Sequence, residues 1–136
     1  MVELSQFRAP LAVSLGAIAG ACCRYYGGQW IGEMVNLSFP IGTFAVNVSG
    51  CFLMGLVITL AAKQWFPHPD YVLLITTGFL GSFTTFSAYE LDTLNLLDAN
   101  RGTEALIYWL GSPLLGMMSF SLGILLARAI AHHRSS

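Results

Sequence analysis

Residues 78–87 read Gly78-Phe79-Leu80-Gly81-Ser82-Phe83-Thr84-Thr85-Phe86-Ser87, in the middle of an apolar run from about Tyr71 to Leu97. The run is long enough to cross a bilayer core as a helix, which takes about 20 residues. Its centre is a poor helix interior. Glycine costs about 1 kcal/mol against alanine there, and β-branched threonine is also disfavoured. Two glycines, a serine and paired threonines therefore predict a break. Backbone groups freed by a break cannot face lipid, so they must line a cavity or coordinate something. Broken helices near the bilayer midplane are one way in which transporters build ion sites. The competing reading is a glycine-rich helix packed tightly on a neighbour. The break is the stronger of the two.

Working outward, three more runs have the same character: about 10–31, about 39–62 and about 104–130. The expected fold is an all-α integral membrane protein of four transmembrane helices, with residues 1–136 forming one domain. Composition agrees. The chain has 136 residues, is 55% hydrophobic and only 10% charged, and its net charge is −1. Soluble domains carry roughly 25% charged residues. A disordered chain, a basic nucleic-acid binder and an ordinary soluble enzyme are excluded on these grounds. Thr103 is placed to cap the last helix. Pro113 should kink it.

The first run is not read as a cleaved signal peptide. Its leading segment has Arg8 beside Glu3, and Arg24-Tyr25 follows without a break. With four spans, Arg8, Lys63, Arg128 and Arg134 share one side, against Arg24 and Arg101 on the other. This weak bias suits dual insertion or cytoplasmic termini. Cys22, Cys23 and Cys51 lie in apolar runs and read as small buried residues. Small residues such as Gly16, Gly20, Gly42, Ser49, Gly50 and Gly55 allow close helix packing. Four short helices enclose little volume, so a C2 dimer with its pore between subunits is expected.

Polar residues inside the membrane are functional candidates by default. Asn47 can donate to an anion without carrying charge, although an interhelical hydrogen bond is the stronger reading from the residue alone. Phe83, Phe86 and Tyr89 recur at intervals of three, on one side of a helix. Aromatic edges can contact anions, but core packing is favoured. Arg24 either snorkels to the interface or attracts anions at a vestibule. Glu90 and Asp92 either face a water-filled mouth or pair with Arg24.

Three motifs in order then give a specific resemblance. Gly16–Tyr25 (G-A-I-A-G-A-C-C-R-Y), Gly42–Gly55 (G-T-F-A-V-N-V-S-G-C-F-L-M-G) and Gly78–Ser87 followed by Asp92-Thr93 resemble the CrcB/Fluc family of fluoride channels. The resemblance covers nearly the whole chain. It implies an antiparallel, dual-topology homodimer in the cell inner (plasma) membrane. Fluoride would leave passively through two pores, lowering its cytoplasmic concentration. A structural Na⁺, not transported, would sit at the dimer centre on the carbonyls of Gly81 and Thr84. By motif position Asn47, Thr85, Phe86, Ser87 and Tyr89 would line the pore, with Arg24 at the vestibule. No catalytic residue is implied. Tyr89 stands where the family has a second pore phenylalanine, and Ala88 and Glu90 replace small hydroxyl residues beside it. Ser112, Ser119 and Ser121 are candidates for the polar track of the last helix, and none can be singled out.

Four alternatives compete. The chain could be the non-conducting half of a heterodimer with a paralogous chain. A small proton-coupled multidrug exporter would need a midplane carboxylate in the first helix, which has only Glu33, at its end. A non-transporting assembly subunit would not depend on Asn47. A membrane enzyme would need a catalytic or metal cluster, and His68, His132 and His133 lie in a loop or the tail.

Overall fold

The computed structural model describes residues 2–35 and 38–135, with side chains described over 7–35 and 38–133. The side chains of Glu3 and Arg134 lie outside the described residues. All regular structure among the described residues is helical: α1 (Val2–Val35), α2 (Ile41–Ala62), α3 (Pro69–Leu73), a π-helical segment (Leu74–Leu80), α4 (Gly81–Phe83), α5 (Phe86–Asp98) and α6 (Gly102–Ser135). Residues 69–98 thus form one interrupted rod, giving four rods among the described residues.

Among the described residues three helical stretches are long and apolar enough to cross a membrane: Ile41–Ala62, Pro69–Asp98 and Gly102–His133. The first helix extends beyond the expected 10–31 at both ends. Arg8 and Arg24 lower its mean hydropathy, and it packs along the π-helical segment.

Both sharp turns close the same way. Gln64 and Asn100 have φ of 58° and 59°, a left-handed conformation that asparagine tolerates better than most residues. After α2, Gln64 N–H donates to the Ala61 carbonyl and Trp65 N–H to that of Leu60. After α5, Asn100 N–H donates to Leu97 and Arg101 N–H to Leu96. These paired bonds satisfy the last carbonyls of each helix. Thr103 is not the cap of α6. The Arg101 carbonyl already accepts from Ala105 N–H at 2.9 Å, so the helix begins before Thr103. It then continues through Pro113.

Backbone approach is closest at glycines. α2 lies mainly on α6, and a Cβ on Gly55 or Gly123 would overlap the carbonyl oxygen of Phe120 or Phe52. Gly16 and Gly20 of α1 face Leu74 and Phe79 of the same chain, so this small-residue pair serves packing within the chain. The buried core is small and centres on Tyr89, Leu96, Ala105 and Tyr108. Leu11, Leu15, Ile18, Leu114, Leu122 and Leu125 are exposed, an arrangement that suits lipid as solvent.

Candidate functional site

The break falls at Thr84-Thr85, not at the glycines. Thr84 (φ −80°, ψ 155°) and Thr85 (φ −149°, ψ 125°) are extended. Gly78 remains helical and is a packing position, where a Cβ would lie 2.6 Å from the Val13 carbonyl oxygen and 3.0 Å from Gly16 Cα. Both readings of the segment therefore hold, each for a different part. The break also divides the aromatic series. Phe83 stacks on Phe79 before it (centroids 5.7 Å), whereas Phe86 and Tyr89 pair after it (5.4 Å).

Asn47 of α2 holds the break open. Its Nδ2 donates to the Thr85 carbonyl at 2.9 Å, and its Oδ1 accepts the Thr85 N–H at 2.7 Å. One side chain thereby replaces two backbone partners. Thr85 also caps α5, its hydroxyl accepting from Ala88 N–H at 3.2 Å.

These two devices leave carbonyls behind. A continuous helix would send Thr85 N–H to Gly81 and Ala88 N–H to Thr84. Asn47 takes the first and the Thr85 hydroxyl takes the second. Thr84 N–H keeps the ordinary helical bond to the Leu80 carbonyl, at 3.1 Å, so the ladder fails only after it. The Gly81 and Thr84 carbonyls thus lose their helical donors four residues ahead, three residues apart on one rod. Carbonyl oxygens of this kind suit a hard cation. Among the described residues no group of three or more His, Cys, Asp or Glu offers an alternative metal site.

A cavity of about 290 Å³ opens beside the break. Asn47 and Cys51 of α2 form one wall, Thr84, Thr85, Phe86 and Tyr89 a second, and Ser112, Pro113, Gly116 and Met117 of α6 a third. Of the residues that the motif places at a pore, Asn47, Thr85, Phe86 and Tyr89 border this one cavity. Ser87 is not on this wall; it is exposed and shares a 3.3 Å hydrogen bond with the Thr85 hydroxyl. Phe86 is 73% exposed at the rim. Tyr89 is buried, with its ring on the cavity and its hydroxyl turned away to donate to the Trp109 carbonyl at 2.5 Å.

Ser112 is the residue that sequence reasoning could not single out. Ser119 donates to the Val48 carbonyl and Ser121 to that of Met117, both at 2.9 Å. The Ser112 hydroxyl is buried and has no partner among the described residues. Such a group is rare and calls for an explanation. The helical register relative to Asn47 was the missing information.

A second cavity of about 400 Å³ lies between α1, α2 and α5, and Arg24, Gln29, Thr43, Thr85 and Asp92 are among its lining residues. Thr85 borders both cavities. Arg24 and Asp92 face the same space, but form no ion pair among the described residues. Tyr108 donates to Asp92 Oδ2 at 3.3 Å. Glu90 is exposed. At this end Arg101 forks onto Glu104 and donates to the Ser38 carbonyl at 2.6 Å, joining two connecting segments. Its hydrogen bond to Glu104 holds the guanidinium pKa above its ordinary range.

Fold and site together define a small multi-helix membrane protein with a cavity at a broken helix. The chain matches the family described as CrcB-like protein, Camphor Resistance (CrcB), over residues 11–124, and it belongs to that family. A Synechococcus protein named fluoride-specific ion channel FluC is 50% identical over 121 residues, covering 89% of this chain and 93% of its own. A protein of the same name from Trichormus variabilis is 45% identical over 129 residues, covering 94% of each chain. One from Helicobacter pylori is 43% identical over 120 residues, covering 87% of this chain and 92% of its own.

Proposed function

We propose that this chain is a fluoride-specific channel, crossing the cell membrane four times and letting fluoride leave passively. The observation that carries the reading is the cavity beside the break. There a half-buried amide, an unpartnered hydroxyl and an exposed aromatic edge converge without a fixed positive charge. A small, strongly hydrated anion needs donors to replace its water. Asn47 has a second amide hydrogen, Ser112 has a free O–H, and the Phe86 ring has a positive edge. Arg24, in the neighbouring cavity, would raise the local anion concentration. The relatives' names agree with this chemistry.

The functional unit in this reading is an antiparallel homodimer. The exposed Phe86 at the cavity rim supports it, because a second copy would complete the wall. The same symmetry would bring two sets of Gly81 and Thr84 carbonyls together, four oxygens for a structural Na⁺. That ion would neutralise the carbonyl dipoles and hold the two breaks together.

The test is fluoride release from liposomes holding only this purified chain, with valinomycin supplying a potassium shunt and chloride as the control anion. Fast fluoride release without chloride release is expected. Silence would refute a self-sufficient channel and favour the heterodimer half, to be checked by adding a paralogous chain.

A further inference from the structure

Pro113 removes one backbone donor from the middle of α6. In an unbroken helix the residue at 113 would give its N–H to the carbonyl of Trp109. Proline has none, so that carbonyl is freed, and its ring crowds the same oxygen. A freed backbone group inside a membrane bundle must find another partner. Tyr89 is that partner. Its hydroxyl, on α5, donates to the Trp109 carbonyl at 2.5 Å. The ring carrying it is buried, contacting Phe86 and Tyr108 at centroid distances of 5.4 Å each.

We infer that Tyr89 and Pro113 form a coupled pair in which the Tyr89 hydroxyl supplies the hydrogen bond that Pro113 deletes, fixing Tyr89 and α6 as facing walls of the cavity. Two residues that look unrelated in sequence thus offset each other. A phenylalanine at 89 would fill the same space but leave the Trp109 oxygen bare. Tyr89 is a positioning residue: it acts through the α6 backbone next to Ser112 and Pro113, both of which line the cavity. Its effect on flux rests on the channel reading above, whereas the coupling itself does not.

The experiment compares four full-length chains: unchanged, Tyr89→Phe, Pro113→Ala and the double variant. Each is read by thermal unfolding in detergent and by fluoride and chloride efflux from liposomes. Tyr89→Phe is expected to lower the melting temperature and to slow fluoride release about tenfold. Pro113→Ala restores an N–H to the helix, so Tyr89→Phe in that background should stay within about twofold of Pro113→Ala alone. Additive effects, or an unchanged Tyr89→Phe chain, would overturn the pairing. If Tyr89→Phe fails to fold, a folded double variant upholds it and an unfolded one overturns it. Should the unchanged chain carry no fluoride, the channel reading fails by itself, and the melting temperatures still decide the pairing. Coupled melting with unchanged flux in every chain would overturn the positioning role.

Discussion

Asn47→Ala is the sharpest test of how the break is built. The substitution deletes the acceptor at 2.7 Å from Thr85 N and the donor at 2.9 Å from Thr85 O, leaving both backbone groups bare. Each buried unsatisfied group costs about 1–3 kcal/mol. Thr85 is only half-buried and borders both cavities, so water can relieve part of this, and about 1–2 kcal/mol applies to each group. The expected loss is about 2–4 kcal/mol in total. Asn47→Asp separates the two roles. It keeps the acceptor for Thr85 N–H but sets a carboxylate against the Thr85 carbonyl, so about half of the stability loss should remain. In the cavity, a negative charge roughly 5 Å from a passing anion at an effective dielectric of about 20 costs about 3 kcal/mol, or roughly a hundredfold in rate. Thermal unfolding and liposome fluoride efflux measure the two effects separately. An Asn47→Ala chain of unchanged stability would refute the clamp. An Asn47→Asp chain of unchanged flux would refute the placement of anions beside this side chain.

The other predictions concern the cavity wall, the packing and the proposed cation. Phe86→Ile removes a ring edge worth about 1 kcal/mol at a rim position, so fluoride release should fall about fivefold with dimerisation retained; normal flux would sink the aromatic role. Ser112→Ala deletes an unpartnered buried hydroxyl, so melting should hold or rise while fluoride release slows, and a clear drop in stability would show that the hydroxyl is already satisfied. Gly20→Val drives a Cβ into the Phe79 carbonyl and should cost about 1–3 kcal/mol by overpacking, read as a lower melting temperature. The proposed sodium predicts that purification in a bulky organic cation lowers both melting temperature and fluoride flux; indifference to sodium would dismiss the Gly81 and Thr84 carbonyls as its ligands.

Much of this arrangement is legible in residue order. Apolar runs mark the rods, because a bilayer demands length and hydropathy above all. The threonine pair, with the glycines and serine before it, signals a break; that Asn47 of the preceding rod is its partner appears only in the structure. What the sequence hides is register between rods. Ser112, Ser119 and Ser121 are equivalent on a helix drawn alone; only the docking of α6 on α2 sends Ser119 to Val48 and leaves Ser112 free. Ser87 shows the same dependence on rotation about a helix axis. Adjacent to Phe86 in sequence, it is rotated about 100° around the helix axis and lies off the wall that Phe86 borders. The glycines misled for a third reason. Low helix propensity registers equally for a residue that breaks a helix and for one that lets another backbone approach, and Gly78 does the second.

The distribution of hydrogen bonds around the break argues that anion handling is written into the fold. Thr76, Thr84 and Thr93 each return their hydroxyl to the carbonyl four residues back, and Ser49 to the one three back. Ser119 and Tyr89 satisfy carbonyls of neighbouring rods. Nearly every hydroxyl near the cavity is thus committed to an acceptor. Leaving a buried donor unmade in an apolar surround costs about 1–3 kcal/mol, so an exception needs an occupant to offset it. Ser112 is such an exception, and Asn47, with one amide hydrogen given to Thr85, retains another donor on the same wall. Two donors left over on one wall of the cavity describe a site that attracts negative charge without carrying positive charge. A lysine or arginine at Asn47 would bind an anion too firmly to release it, whereas dipolar donors hold it weakly enough for flow. Asn47→Lys should therefore abolish flux, even in a chain that still folds and dimerises, and liposome efflux beside size-exclusion chromatography would show whether it does.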